Sequence, residues 1–242
     1  MTPTLVRHHP ARDWAEIQER MLVPLYEAVY DRLGVGPGSR VLGLGCGSGL
    51  ALLMAAARGA RVAGADRDAA RLALARERLP EVPLTPSGLP EGGRYDVVTA
   101  FHGPAALGPD PAALTRSAER GGAVVLAGWG PAERCATSSV LRVAARLAGG
   151  RGPAEHGGLG TVLGAAGLRA AGAGRVSCPF GYADRESAVR GLLSTGEFDA
   201  ALAAADPERV EKELLEALEP YARADGTVWM PNVFRYVVAR TP

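Results

Sequence analysis

A short apolar stretch that runs directly into a glycine-rich turn, residues 40–50, constrains the fold of this chain most strongly. Its sequence is RVLGLGCGSGL, and a helix-compatible run follows to Arg58. Glycine tolerates positive φ and lets a ligand approach the backbone closely. A turn at a helix start also presents free N–H groups and the positive end of the helix dipole. The stretch therefore predicts a strand, a loop at 45–49 that binds a polar or partly anionic ligand, and a helix.

Segments of alternating strand and helix character surround this turn and continue beyond it. Asp68 is placed to cap one helix, which ends before Pro80. The predicted strands after the turn lie at 60–66, 82–85, 95–101 and 121–129, and the helices at 69–79 and 111–119. This order predicts an α/β protein with a mostly parallel sheet and helices on both faces.

The second half of the chain adds mainly helices. Strands are predicted at 175–180 and 233–239, and helices at 137–148, 159–166, 184–193, 198–205 and 208–222. Open α/β sheets bind ligands at the carboxyl edge of their strands. The helices between the last two strands are therefore expected to form a lid over that edge.

An amphipathic helical pattern precedes the sheet, between Asp13 and Leu33, and Pro24 is expected to kink or split it. We expect most of this segment to pack on the core. Trp14 and Tyr26 are candidates to face a substrate cavity.

Composition excludes several kinds of partner and chemistry. The 242 residues carry a net charge of +1, which gives no indication of nucleic-acid binding. No sequence segment approaches the ~20 apolar residues of a membrane span. Lys212 is the only lysine, which argues against Schiff-base chemistry. Cys46, Cys135 and Cys178 are far apart and lack metal-ligand spacing, so we expect free thiols in a cytoplasmic protein without a metal.

Two classes of cofactor compete for a glycine loop after a first strand. Dinucleotide folds use G-x-G-x-x-G, but here glycines alternate from 43 to 49 and Leu50 stands where the last glycine belongs. A nicotinamide-dependent oxidoreductase is therefore disfavoured. Asp66 ends the second predicted strand about 20 residues after Gly45, where a carboxylate can accept two hydrogen bonds from a ribose.

Four segments, in this order, resemble the motifs of class I S-adenosylmethionine (SAM) dependent methyltransferases. They are VLGLGCGSG at 41–49, AGADR at 63–67, YDVVTAF at 95–101 and GGAVVL at 121–126. GWGP at 128–131 and the later lid are similar to small-molecule methyltransferases of quinone and antibiotic biosynthesis. The resemblance implies a Rossmann-like methyltransferase fold with seven mostly parallel strands, helices on both faces and a helical lid. The expected parts are an N-terminal helical arm over the active site (1–38), a SAM-binding half (39–135) and the remaining strands with the inserted lid (136–242).

The resemblance also implies positions for the cofactor. The amino-acid end of SAM would be held by Gly45, Cys46 and Gly47, the ribose by Asp66 and the adenine by Arg67 and Leu89. The sulfonium would lie near Phe101 and His102, and Gly49 is a further cofactor-binding residue. Two acids usual in the family are missing, since Gly43 replaces one and residues 85–88 offer only hydroxyl groups. Each missing acid removes a charge-assisted hydrogen bond of about 1.5–3 kcal/mol.

Methyl transfer is an in-line displacement that depends on positioning and exclusion of water. His102 is the candidate general base for an acceptor that must lose a proton. Cys46 lies at a helix N-terminus, where the pKa of a thiol falls, but the resemblance implies no covalent role. Aromatic residues expected to line the acceptor pocket are Trp14, Tyr26, Trp129, Tyr182 and Trp229.

The leading function is therefore SAM-dependent methyl transfer to a small-molecule acceptor, a secondary metabolite, with S-adenosylhomocysteine as the second product. The missing acids leave a second function open, a cyclase or isomerase of natural-product biosynthesis that keeps the fold but no longer transfers methyl. A binding module without catalysis is a further alternative. No nucleic-acid or membrane partner is expected, and a homodimer is compatible with the sequence.

Overall fold

A seven-stranded sheet forms the centre of the molecule. The computed structural model describes residues 9–86, 93–103, 110–150 and 158–242. Its strands are β1 (Arg40–Leu44), β2 (Arg61–Ala65), β3 (Leu84–Thr85), β4 (Tyr95–Ala100), β5 (Ala118–Trp129), β6 (Ala170–Ser177), β7 (Phe180–Tyr182), β8 (Val228–Met230) and β9 (Val233–Arg240). The sheet order is β3-β2-β1-β4-β5-β9-β6, with β9 antiparallel to both neighbours and the remaining pairs parallel. The predicted Rossmann-like, mostly parallel sheet is confirmed.

Helices pack on the sheet in two separate hydrophobic clusters. They are α1 (Pro10–Asp13), α2 (Val23–Leu33), α3 (Leu50–Ala57), α4 (Ala69–Arg78), α5 (Ala113–Ser117), α6 (Thr137–Leu147), α7 (Leu159–Ala165), α8 (Arg185–Leu193), α9 (Asp199–Ala204) and α10 (Pro207–Leu218). Within the described ranges, no helix is long and apolar enough to cross a membrane.

The N-terminal arm, residues 10–33, is split as Pro24 predicts, but in a more irregular way. A π-helical turn (Trp14–Gln18) and a 3₁₀ turn (Glu19–Leu22) separate α1 from α2. Pro24 lies in the first turn of α2, where a missing backbone N–H breaks no intrahelical hydrogen bond.

Two predicted segments differ from the structure. The helix predicted at 111–119 is shorter because Ala118 already pairs with Tyr95 in the sheet. The strand predicted at 175–180 is two strands: β6 begins earlier, at Ala170, and β7 pairs with β8 in a separate two-stranded sheet. The glycine-rich start of β6 resembles a loop in sequence, yet a Cβ at Gly174 would overlap the Tyr236 ring. Glycine is needed there for strand packing.

Two glycines side by side let α3 approach the sheet closely. Gly43 of β1 pairs with Gly64 of β2, and Leu52 of α3 covers both. A Cβ at Gly43 would lie 3.2 Å from Leu52 and 3.3 Å from the Cys46 Cβ, and one at Gly64 would lie 2.7 Å from Leu52. A side chain at either position would therefore have to displace these neighbours.

The arm is attached to the inserted helices α8–α10, which we call the lid. Buried Asp13 accepts two hydrogen bonds from the Arg190 guanidinium, at 3.0 and 2.5 Å. The Tyr182 hydroxyl, beside α8, donates to Gln18 Oε1 at 2.9 Å. The N-terminal arm and the inserted lid therefore meet over the carboxyl edge of the sheet.

We predict that Gly64→Ala lowers the free energy of unfolding by about 1–3 kcal/mol, because the added methyl group overpacks the contact between α3 and β2. Gly164→Ala is the matched control. Gly164 lies exposed within α7, and a Cβ added there would have no atom within 4 Å, so alanine is expected to stabilise the helix by about 0.5–1 kcal/mol. Chemical denaturation measures both, and equal stability of the two variants would contradict the packing argument.

Candidate functional site

The glycine loop, residues 45–49, connects β1 to α3. Gly45, Gly47 and Gly49 have φ values of +65°, +59° and +83°, a region that costs other residues about 1–2 kcal/mol. The amides of Gly45 and Cys46 donate to the Ala65 carbonyl at 2.8 and 3.0 Å, and that of Gly49 to the Cys46 carbonyl at 3.0 Å. The sequence predicts free N–H groups for a ligand here, but these three are used inside the protein.

The Asp66 carboxylate, at the end of β2, also binds the glycine loop. Its Oδ2 accepts from the Gly47 amide at 2.7 Å and its Oδ1 from the Asp68 amide at 2.9 Å. Burial raises the pKa of the Asp66 carboxyl, while the two amides oppose that change. Each carboxylate oxygen retains a second acceptor position. Asp66 can therefore hold the loop and still accept hydrogen bonds from a ligand hydroxyl.

A cavity of about 500 Å³ lies between the arm, the carboxyl edge of the sheet and the lid. It brings together residues that the sequence analysis selected for cofactor and acceptor: Trp14, Gly45, Asp66, Arg67, Phe101, His102 and Trp129. These residues come from the arm and from the ends of β1, β2, β4 and β5. The predicted convergence at the carboxyl edge is thus present in the structure, although their individual roles remain predictions.

Three of the predicted aromatic residues lie elsewhere. Tyr26 is fully buried behind His102, and Tyr182 is buried with its hydroxyl on Gln18. Trp229 is 41% exposed, with the Arg223 guanidinium 4.8 Å from its ring. The prediction for Trp229 is wrong in placement, because alternate residues of a strand face opposite sides and its neighbours in β8 face the core.

The remaining predicted cofactor residues lie behind the cavity or outside the described ranges. Gly49 allows close packing of α3 on α4, since a Cβ there would be 3.2 Å from Ala75. Cys46 is buried, and desolvation together with the carboxylates of Asp66 and Glu19 raises the pKa of its thiol to about 12. The lower thiol pKa expected from the helix N-terminus is therefore wrong. Leu89 lies outside the described residues.

His102 is held by both ring nitrogens. Its Nε2 lies 2.9 Å from the Tyr26 hydroxyl, and its ring also hydrogen-bonds the Gly45 carbonyl. A carbonyl can only accept, so we assign the proton to Nδ1 and leave Nε2 to accept from Tyr26. Burial and, secondarily, the Arg71 charge lower the pKa of His102 to about 4. This geometry argues against the predicted general base, because neither ring nitrogen is free for an acceptor.

Several residues that line the cavity are not among those selected from the sequence as site residues. Phe180 and Phe234 pack against Trp129, with ring centroids 5.7 and 4.6 Å away, and form an apolar wall. Arg71 lies over the Trp14 ring at 4.4 Å. Further lining residues are Gln18, Leu22, Leu141, Leu159, Thr195, Glu197 and Arg235. Apolar residues at strand ends could have indicated the wall, but Arg71 is indistinguishable in sequence from a solvated helix residue.

A fully buried carboxylate, Glu19 of the arm, also lies beside the glycine loop. Its Oε2 accepts hydrogen bonds from the Ser48 hydroxyl and, at 3.1 Å, from Arg78 Nη1. A Cβ at Gly47 would lie 2.8 Å from Glu19 Oε1, 2.9 Å from Trp14 Nε1 and 2.9 Å from His102 Cε1.

In the described part of the chain, no group of three or more His, Cys, Asp or Glu residues is arranged to hold a metal ion.

The sequence and the fold were compared with known proteins. A family model described as a methyltransferase domain matches residues 42–121, a segment that runs from β1 into β5. No curated protein sequence gives a significant match.

Solved structures match over nearly the whole chain. A SAM-dependent methyltransferase from Thiobacillus denitrificans in complex with S-adenosyl-L-homocysteine is 18% identical, covers 96% of this chain and 93% of its own, and gives a TM-score of 0.51. The corresponding Geobacter sulfurreducens complex is 19% identical, with 94% and 92% covered and a TM-score of 0.50. YjhP from E. coli is 21% identical, with 94% and 97% covered and a TM-score of 0.53. At these identities the structures establish the fold.

The matched segment includes most of β1, the glycine loop and Asp66, on which the resemblance depends. Its strands belong to the seven-stranded sheet. Residues 42–121, about a third of the chain, therefore match a methyltransferase domain, and the chain as a whole has the fold of the SAM-dependent methyltransferases compared with it.

Proposed function

We propose that this chain is a SAM-dependent methyltransferase that acts on a small, largely apolar acceptor of secondary metabolism. The observation that carries the proposal is the continuous cavity that reaches from Asp66 and the glycine loop to the wall of Trp129, Phe180 and Phe234. A cavity of about 500 Å³ beneath a lid suits a small molecule rather than an exposed stretch of a macromolecule.

The residues at the loop side suit SAM. Asp66 has acceptor positions for ribose hydroxyls, and we propose that Arg67 and Phe101 contact the adenine and the sulfonium side, as the resemblance implies. SAM, when bound, supplies an electrophilic methyl group on a positively charged sulfur. Trp14 and Trp129 line this space, and aromatic rings favour a cation over a neutral ligand.

On the acceptor side the protein acts by positioning and desolvation. The aromatic wall excludes water, and the lid contributes Thr195 and Glu197 to the cavity. His102 contributes a neutral, hydrogen-bonded wall rather than a base. This arrangement suits an acceptor that is already nucleophilic, for which no proton must be removed before transfer. We further propose that the enzyme works in the cytoplasm. We also propose the division into arm, SAM-binding half and lid half given above. Dimerisation stays a prediction, and a measurement of the molecular mass in solution would test it.

The first prediction is micromolar binding of S-adenosylhomocysteine, measured by calorimetric titration, followed by an acceptor screen with SAM. A product heavier by one methylene unit supports methyl transfer. Absence of S-adenosylhomocysteine binding at any concentration would contradict the proposal. A product of unchanged mass would favour the cyclase or isomerase alternative instead.

The second prediction concerns His102. We expect one histidine resonance with a midpoint near pH 4 in an NMR titration, absent from His102→Gln. The folded pKa lies below the ordinary value of 6.5, so the unfolded chain binds more protons between these values. The contribution of His102 to stability is therefore present above about pH 6.5 and is lost as the pH falls towards 4. If the resonance that His102→Gln removes titrates near pH 6.5 instead, the burial argument is contradicted and His102 is again a candidate base.

The third prediction separates two tryptophans. Trp129→Leu is expected to raise the KM for the acceptor about tenfold, because loss of about 1.4 kcal/mol of aromatic contact changes affinity by that factor. Trp229→Leu, on the exposed face of β8, is expected to change it less than about twofold. Both variants should bind S-adenosylhomocysteine like the wild type. Equal effects of the two substitutions on KM would contradict the placement of the acceptor wall.

A further inference from the structure

Two arginines lie side by side near the carboxyl edge of the sheet. Arg235 of β9 and Arg175 of β6 are directly opposite each other in an antiparallel pair, so both side chains leave the sheet on the same face. Like charges in these positions destabilise a sheet. Within the described ranges, neither guanidinium forms an ion pair with an acid. An anion that binds between them would remove this repulsion.

Arg235 is also one of the residues that line the cavity. Its partner on the other side, in β5, is Gly128, which has no side chain to cover the arginine. The next pair of the same two strands is Trp129 with Phe234, and Leu159 lies 3.5 Å from the position of a Cβ at Gly128. All three of these apolar residues line the cavity. The β9 end of the cavity therefore combines an apolar wall with a positive charge.

The three carboxylates among the described lining residues lie at the other end of the cavity. Asp66 and Asp68 follow β2, and the lid segment that contains Glu197 is bonded to α4, the next element after β2, through the Ser194 carbonyl. Four strand spacings separate β2 from β9 in the sheet, which corresponds to roughly 19 Å. The glycine loop and Asp66 mark the proposed cofactor end, so a group bound at Arg235 belongs to the acceptor.

We propose that Arg235, supported by Arg175, binds an anionic group of the acceptor, a carboxylate or a phosphate. The inference rests on the proposed function and narrows its acceptor class to molecules with an apolar body and an acidic end. A guanidinium matches two oxygens of such a group with paired N–H donors. The apolar body then lies against the aromatic wall, and the anion at Arg235 fixes which part of the acceptor faces the cofactor end.

The test titrates the protein with two fluorescent dyes that differ by one sulfonate, 8-anilinonaphthalene-1-sulfonate and the neutral N-phenyl-1-naphthylamine. Both have an aromatic body that suits the wall, and only the first carries an anion. Arg235→Gln removes the charge, and we expect it to weaken sulfonate binding about tenfold and neutral-dye binding less than about twofold. Arg235→Lys retains the charge and is expected to recover most of the sulfonate affinity. Arg175→Gln is expected to weaken only the sulfonate, about threefold.

Arg61→Gln is the matched control, because Arg61 is an exposed residue at the start of β2, on the opposite edge of the sheet, and the charge change is identical. It should leave both affinities unchanged. If Arg61→Gln weakens the sulfonate as much as Arg235→Gln does, the effect is one of net charge and the proposal is wrong. Equal loss of both dyes in Arg235→Gln, or loss of neither, also overturns it. Failure of the wild type to bind S-adenosylhomocysteine would instead reject the proposed function, while the two dyes still decide whether the arginines bind an anion.

Discussion

The site depends on the hydrogen bonds that close the glycine loop onto the end of β2. Because β1 and β2 are parallel neighbours, their carboxyl ends meet at one edge, and the Ala65 carbonyl and Asp66 carboxylate lie directly beside the loop that follows β1. Three loop amides are satisfied by these two groups. The loop is therefore fixed in a conformation that only glycine adopts cheaply at Gly45, Gly47 and Gly49, and Asp66 is oriented at the same time.

The hydrogen bonds that hold the glycine loop also affect which charged groups lie beside it. The loop amides of Gly45, Cys46, Gly47 and Gly49 are bonded inside the protein, and a side chain at Gly43 would have to displace Leu52 and Cys46. The arm places one buried carboxylate, Glu19, beside the loop, and Arg78 and Ser48 compensate its burial. A buried charge without such partners would be strongly destabilising.

The arm and the lid form one cover because their contacts join distant parts of the chain. Gln18 and Tyr182 are separated by 164 residues and Asp13 and Arg190 by 177, yet both pairs are hydrogen-bonded. The π-helical and 3₁₀ turns of the arm allow Trp14 to face the cavity while Glu19 faces the loop. A regular helix would not present residues five apart to the same loop, since residues three and four apart share a face.

The sequence by itself determined the alternation of strands and helices, the glycine loop and the acid that follows the second strand, because strand-turn-helix signals are local and periodic. It also placed Phe101 and Trp129 at one edge of the sheet, since the parallel strands β4 and β5 end together there. Only the tertiary structure decided that His102 is held by Tyr26 and Gly45, that Trp229 faces outward and that Glu19 is buried. Those outcomes depend on desolvation and on hydrogen bonds between residues far apart in sequence, which no local pattern encodes.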